Sequence, residues 1–285
     1  MEIAVLSDIH GNYIALERCL EHAFSQNIDI FIFLGDYIGE LAYPERTMQV
    51  LYDLNDRYKC YFIKGNKEDY WLNYITEGEQ GWKDKDSTTG SLLYAYNSIK
   101  ARDIDFIEKL QLVMELKLTG LPAITLCHGS PRNNNQKLLP NDDRTIEVIN
   151  IVETPIILCG HSHIQRKFIH NDKCVLNPGS VGVPLFSKGE TQFMILHGND
   201  GKWVEEFIGL KYDVDRVILD MHEEKLDEHA PCWSKITEHI LRGGNTSHGT
   251  VLLRAMELCR EETGKCVWPD IPEECWEQAV NEMIG

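Results

Sequence analysis

The chain has 285 residues, of which 43% are hydrophobic and 26% charged, and its formal net charge is −17 at pH 7. That is enough mass for a real hydrophobic core, with the composition of an ordinary globular protein. So acidic a chain repels nucleic acid phosphates and anionic membranes, which excludes long nucleic acids and membranes as partners; a small anionic substrate stays open, because bound metal ions reverse a local field.

Met1-Glu2-Ile3-Ala4-Val5-Leu6 has no basic leader and runs straight into an apolar strand over 3–7, so no signal peptide is expected. Further strands are predicted over 29–34, 59–63, 123–127, 155–159, 173–177 and 191–197. Leu16, Cys19, Leu20, Ala23 and Phe24 follow the helical period within 12–26, and a second helix begins near Pro44 with Met48, Leu51 and Leu54 inward. The β-α-β-α-β opening predicts parallel pairing, whereas the strands of 173–208, joined by turns such as Asn199-Asp200-Gly201, predict antiparallel pairing. Helices sandwiching sheets in a layered α/β fold is the expected architecture.

Residues 71–111 differ. Gly78, Gly81, Lys83-Asp84-Lys85-Asp86 and Thr88-Thr89-Gly90 mark a long polar insertion, followed by helices near 91–101 and 103–110; long loops of this kind are often lids. Residues 212–285 read as helices over 213–224, 234–242, 248–263 and 272–283, a C-terminal helical appendage or cap to a domain over 1–211. The nine cysteines are scattered, with no CxxC pair, which suits a reducing cytoplasm. No apolar run approaches the roughly 20 residues of a membrane span.

Five motifs occur in order: Asp8-Ile9-His10, Gly35-Asp36, Gly65-Asn66, His128-Gly129 and Gly160-His161-Ser162-His163. They supply seven metal-ligand side chains: Asp8, His10, Asp36, Asn66, His128, His161 and His163. Asp8, Asp36, Asn66, His128 and His161 fall at the carboxyl ends of predicted strands, where open α/β sheets build their sites. Carboxylate, amide and imidazole without thiolate suit two ions of Mn, Fe or Zn better than a structural zinc site. Such a pair, bridged by one carboxylate, activates a bridging water and clamps a phosphoryl oxygen.

This pattern resembles the calcineurin-like metallophosphoesterase superfamily, with its D-x-H, G-D-x-x-G, G-N-H-[DE], His-Gly and G-H-x-H segments. The resemblance covers residues 1 to about 185, and Asn177-Pro178-Gly179-Ser180-Val181-Gly182 is similar to a segment of the small bacterial branch. It implies a four-layer α/β/β/α sandwich. It also implies that Asp8, His10 and His163 hold the first metal, that Asn66, His128 and His161 hold the second, and that Asp36 bridges them. One position departs: where the family has His after Gly-Asn, this chain has Lys67. Lysine is a poor general acid at neutral pH unless desolvation lowers its pKa, but it can hold a phosphate oxygen or a departing oxyanion.

Other residues carry two readings each. Lys67 either faces phosphate or is a solvated loop lysine. Arg132, after His128-Gly129-Ser130-Pro131, either clamps a phosphate or lies on the surface. Asn12 either binds substrate or caps a helix. Tyr37 and Tyr70, near motif loops, either stack on a base or are ordinary loop-flanking tyrosines, and His170, His197, His222, His229, His239 and His248 match no ligand spacing. Trp233, Trp268 and Trp276 either pack the appendage or form a homodimer surface.

The function expected is two-metal phosphoester hydrolysis by a metal-bridging hydroxide. The substrate expected is a small phosphomonoester, phosphodiester or nucleotide, with diadenosine polyphosphates suggested by the bacterial branch. A protein Ser/Thr phosphatase would share the metal site but need an open groove. A non-catalytic interaction module has only Lys67 in its favour.

Overall fold

In the computed structural model, which describes residues 1–285, the first apolar run forms β1 (Glu2–Leu6), and its two faces enter different cores. Ile3 and Val5 join Ile32, Leu34, Leu126, Leu158 and Met194, whereas Ala4 and Leu6 join Leu16, Phe31, Phe33 and Met48. A strand with both faces covered must be apolar throughout, and this one is.

The chain continues through α1 (Tyr13–Ser25), β2 (Ile30–Phe33), α2 (Pro44–Asn55), β3 (Lys59–Phe62), α3 (Asn66–Thr76), α4 (Gly90–Ser98), α5 (Ala101–Glu108), β4 (Val113–Leu116), β5 (Ile124–Cys127), α6 (Asp143–Ile151), β6 (Ile156–Leu158), β7 (Gln165–His170), β8 (Lys173–Pro178), β9 (Thr191–Asn199) and β10 (Lys202–Leu210). It ends in α7 (Val214–Glu223), α8 (Leu226–His229), α9 (Pro231–Leu241), α10 (His248–Thr263) and α11 (Glu273–Ile284). One sheet runs β10-β9-β1-β2-β3 and the other β4-β5-β6-β8-β7. β1, β2 and β3 are parallel, as are β5, β6 and β8, while β9, β10, β4 and β7 pair antiparallel.

The Ile3–Val5 core lies between the sheets. The Leu16–Phe31 core lies under α1 to α5, and Val148 and Ile149 of α6 cover Ile157 and Val175 on the far side. These are the four layers, α/β/β/α, with the C-terminal helices added. No helix is long and apolar enough to cross a membrane.

Four elements depart from expectation. The polar stretch that begins near 71 is helical as far as Thr76, because α3 starts at Asn66 and buries Trp71 and Tyr74. β4, β7 and α6 carry no unbroken apolar run; β7 has one face exposed at Lys167 and Ile169 and gains its place by pairing with β8.

The C-terminal helices have a core of their own, around Ile236, Ile240, Val251, Ala255 and Trp276, which closes onto Leu41, Ala42 and Val183 of the layered fold. The 71–111 insertion is clasped to it. Ser87 donates from N and Oγ to the two Glu273 oxygens at 2.6 and 2.7 Å, and Cys232 N donates to Ser87 Oγ at 2.8 Å. Trp276 Nε1 donates to Thr88 Oγ1 at 2.9 Å. Insertion and tail are therefore packed together.

Candidate metal centre

Every candidate ligand sits just past a parallel strand: Asp8 and His10 after β1, Asp36 after β2, Asn66 after β3, His128 after β5, and His161 and His163 after β6. To face one point, the chain must abandon strand geometry there. Asp8, His10, Asp36, His161 and His163 all have φ between 52° and 63°, the left-handed region that costs a non-glycine residue free energy. Backbone bonds hold these turns: Ile9 N and His10 N both donate to Asp36 O, at 2.9 and 3.0 Å. Glu68 receives Asp36 N, Tyr37 N and Gly65 N at 2.7 to 2.9 Å, tying the second and third motifs together.

Two groups converge. Asp8, His10 and His163 offer ligand atoms that all lie within 4.8 Å of one another, and so do Asp8, Asp36 and His128. Asp36 stands between them, with Oδ2 3.7 Å from His10 Nε2 and Oδ1 3.5 Å from His128 Nε2. Asp8 Oδ2 is occupied by Ser7 Oγ and His161 N, at 2.6 and 3.0 Å, while Oδ1 lies 3.1 Å from His163 Nε2. Asn66 Oδ1 is 3.0 Å from His128 Nε2.

The outer ring nitrogens are held by the protein: His128 Nδ1 by Leu34 O at 2.6 Å, His163 Nδ1 by Val183 O at 2.9 Å, and His10 Nδ1 by Glu40 at 2.5 Å. This turns three Nε2 atoms toward the carboxylates, the arrangement that outer-sphere partners give metal-binding histidines. His161 differs, with Nε2 on Asn135 O at 3.1 Å.

Electrostatics test the fit. Burial penalises charge on Asp8 and Asp36, yet the neighbouring imidazoles outweigh it and hold both carboxyls below the usual range. Burial likewise opposes charge on His10 and His128, yet Glu40 with Asp8, and Asp36 with Asp8, raise them to about 10 and about 9. The site demands positive charge, and oxygen and imidazole donors already converge on it. These residues fit divalent metal ions.

The centre lies at the floor of a cavity of about 290 Å³. Lys67 lines it, buried, with Nζ 2.5 Å from Glu40 Oε1 and 5.5 Å from the Trp233 ring. Burial opposes its charge, but Glu40 and Asp36 outweigh that and raise its pKa. Lys67 is thus neither a solvated loop lysine nor a desolvated acid, but a fixed cation. The walls come from Thr88, Ser91 and Leu92 of the insertion and from Trp233, His248 and Trp268 of the cap.

Two expected substrate contacts lie elsewhere. Arg132 is exposed and lines, with Arg144, an adjoining depression that shares Asn135 and Lys137 with the cavity; Ser130 Oγ accepts Arg132 N and Asn133 N in the turn that carries it. Asn12 is buried with both ends engaged, Oδ1 accepting Ala15 N and Nδ2 donating to Gly182 O, each at 3.0 Å. It is the cap of α1.

Three residues that reach the cavity had no such role in the sequence reading, and a fourth, Tyr70, had base stacking as one of its two readings. Glu40 joins His10 to Lys67. Tyr70, one turn beyond Asn66 on α3, lines the wall. Trp268 overhangs it. His248 stacks on Trp233 with ring centroids 4.4 Å apart, and its Nε2 lies 2.8 Å from Thr237 Oγ1, whose hydroxyl donates to Trp233 O; burial holds the imidazole neutral, pulled down to about 3. Only Glu40 carried a local signal, directly after Gly35-Asp36-Tyr37-Ile38-Gly39.

Residues 1–201 match the family model of the calcineurin-like phosphoesterase superfamily domain. The uncharacterized protein MJ0912 of Methanocaldococcus jannaschii is 27% identical over 245 residues, 79% of this chain and 94% of that one. Protein PH1004 of Pyrococcus horikoshii OT3 superposes with a TM-score of 0.70 at 21% identity, over 86% of this chain and 99% of its own. A metallophosphoesterase from Sphaerobacter thermophilus superposes with a TM-score of 0.62 at 20% identity, over 81% of this chain and 99% of its own. At such identities the two structures speak for the fold.

Proposed function

The chain belongs to the calcineurin-like phosphoesterase superfamily and is a metal-dependent phosphoester hydrolase, and from that premise we propose that it hydrolyses a small phosphate ester at a two-metal centre on the cavity floor. The observation that carries this is the convergence of Asp8, His10 and His163 beside Asp8, Asp36 and His128, with Asp36 between them. Asn66 Oδ1, 3.0 Å from His128 Nε2, belongs with the second group, and His161 would join it by giving up Asn135 O. Mn, Fe or Zn ions held there supply Lewis acidity and lower the pKa of water toward neutrality.

The chain's own residues do the rest. Glu40 and the backbone carbonyls of Leu34 and Val183 hold the imidazoles in one orientation. Lys67 places a fixed ammonium on the cavity wall, where it neutralises charge building on phosphoryl or leaving oxygens. Its raised pKa makes it a charge rather than a proton donor, which favours substrates whose leaving groups depart without protonation. The walls from the insertion and the cap favour a small substrate over a phosphoprotein, which needs an open groove. The cavity volume, near the low end for ligand pockets, suits a nucleotide-sized molecule; a dinucleoside polyphosphate would leave one nucleoside outside.

The test is hydrolysis of p-nitrophenyl phosphate and bis-p-nitrophenyl phosphate with added Mn²⁺, beside Asp36→Asn. Activity should require metal and fall by about three orders of magnitude in the variant, the scale of several kcal/mol of lost charge stabilisation. Equal activity with a chelator, or in Asp36→Asn, sinks the proposal.

A further inference from the structure

We propose that Trp268 and Tyr70 form a binding site for the planar aromatic group of the substrate, so that the hydrolase is selective for nucleoside phosphates over aliphatic ones. This rests on the hydrolytic reading of the same cavity. Trp268 is 42% exposed, and it lines the cavity that holds the metal centre. Its ring lies 6.1 Å from that of Tyr70 at an angle of 34°, so the two faces splay rather than close on each other.

Position on α3 supplies the second argument. Asn66 and Lys67 face the phosphate end, and Tyr70 follows them by one helical turn on the same wall. A turn rises about 5.4 Å, so phosphate-binding and aromatic groups stand about as far apart as a nucleotide's phosphate and base. Tyr70 donates from its hydroxyl to Asn135 Oδ1 at 3.2 Å, which turns the amide of Asn135, with Lys137 beside it, into the polar edge of the same wall.

The loop is built to hold Trp268 out. The other large ring of this region, Trp276, is wholly buried in the cap. Trp268 is kept from following it by a turn in which Asp270 N donates to Val267 O and Ile271 N to Pro269 O, at 2.9 and 2.8 Å. Asp270 is in turn fixed to Lys83 of the insertion at 3.1 Å. A base stacked on such a ring gains binding free energy without sequence-like selectivity, because every base has a π face.

The test pairs methyl p-nitrophenyl phosphate with thymidine 5′-(p-nitrophenyl phosphate), which share a leaving group and differ in carrying a methyl group or a nucleoside. It adds calorimetry of adenosine 5′-monophosphate against ribose 5-phosphate. With Mn²⁺, kcat/KM should favour the nucleoside diester by roughly 10-fold or more, mainly through KM. Trp268→Ala should bring that ratio close to one, and Trp268→Phe should keep most of it. The ratio is taken within one sample, so partial misfolding cancels. Equal kcat/KM for the pair, or a ratio that Trp268→Ala leaves intact, overturns the proposal. If neither diester is turned over, the hydrolytic reading fails only if p-nitrophenyl phosphate is not turned over either, and calorimetry decides the aromatic site alone. Adenosine monophosphate binding no tighter than ribose 5-phosphate then overturns it, and tighter binding lost in Trp268→Ala upholds it.

Discussion

Lys67 and His10 are joined through a single carboxylate: Glu40 Oε1 lies 2.5 Å from the Lys67 ammonium and Glu40 Oε2 2.5 Å from His10 Nδ1. All three groups are buried. Glu40 therefore aims a metal-binding imidazole and fixes a cation on the cavity wall at once. Glu40→Gln keeps the shape and removes the charge. Metal affinity should fall by about 10- to 100-fold, the usual cost of losing an outer-sphere partner. Titration calorimetry with Mn²⁺ reads this directly, and an unchanged affinity assigns Glu40 to packing alone.

Gly65 is the contact point between two motifs. A Cβ there would lie 2.2 Å from Asp36 Oδ1 and 2.5 Å from Asp36 N. The nitrogen belongs to a backbone that is itself bonded to Glu68, so relief requires the Asp36 turn to move. Gly65→Ala should cost about 1–3 kcal/mol, as overpacking does, and lower bound metal at the same time. Thermal unfolding with metal analysis checks both, and a variant with wild-type Tm and full metal content contradicts the close contact.

Ser87 links insertion to cap. Its hydroxyl donates to Glu273 and receives Cys232 N. Ser87→Ala leaves a carboxylate oxygen and an N–H short of a partner, at a cost of about 1–3 kcal/mol. Since Thr88 and Ser91 line the cavity, KM should rise more than kcat falls. Steady-state kinetics alongside the Tm separates this from simple destabilisation, in which kcat per folded molecule and KM would both hold.

His197 on β9 lies 2.9 Å from Glu2 of β1 and 3.0 Å from Glu206 of β10. Burial opposes its charge, but bonds to Glu206 and Glu2 outweigh that and raise the pKa above the ordinary 6.5. A group whose pKa is higher in the folded state stabilises fully below its unfolded value, and that stability is lost as pH rises through the folded value. The Tm difference between wild type and His197→Gln should thus be largest near about pH 5.5 and shrink by about pH 9. A difference that grows with pH would show the sign to be wrong.

The layers and the ligand turns were legible because each strand is short, apolar and followed at once by Asp, Asn or His, with glycine beside most of those turns. What the sequence could not display is partnership over distance. Glu40 meets Lys67 only because the turns after β2 and β3 lie side by side. Asn12 was ambiguous because cap and ligand use the same amide, and only the burial of both its ends decides. Arg132 looked suited to phosphate by its place after His128, but it stands exposed in a turn anchored on Ser130. His248 and Trp268 belong to no motif, and they reach the cavity by the folding of a helical cap whose own pattern speaks only of its core. β7 was invisible because Gln165, Arg166, Lys167 and His170 leave it no apolar run.

The ligands all lie before residue 164, whereas Trp233, His248 and Trp268 follow much later in the chain. A chain emerging from its N-terminus thus carries all seven candidate ligands, and Thr88, Ser91 and Leu92 of the insertion, before it carries the share of the wall that the last helices supply. The two sets of residues are separated in the order of synthesis as well as in space. Substitutions in the late segment can therefore reshape the wall without touching the turns that carry the candidate ligands.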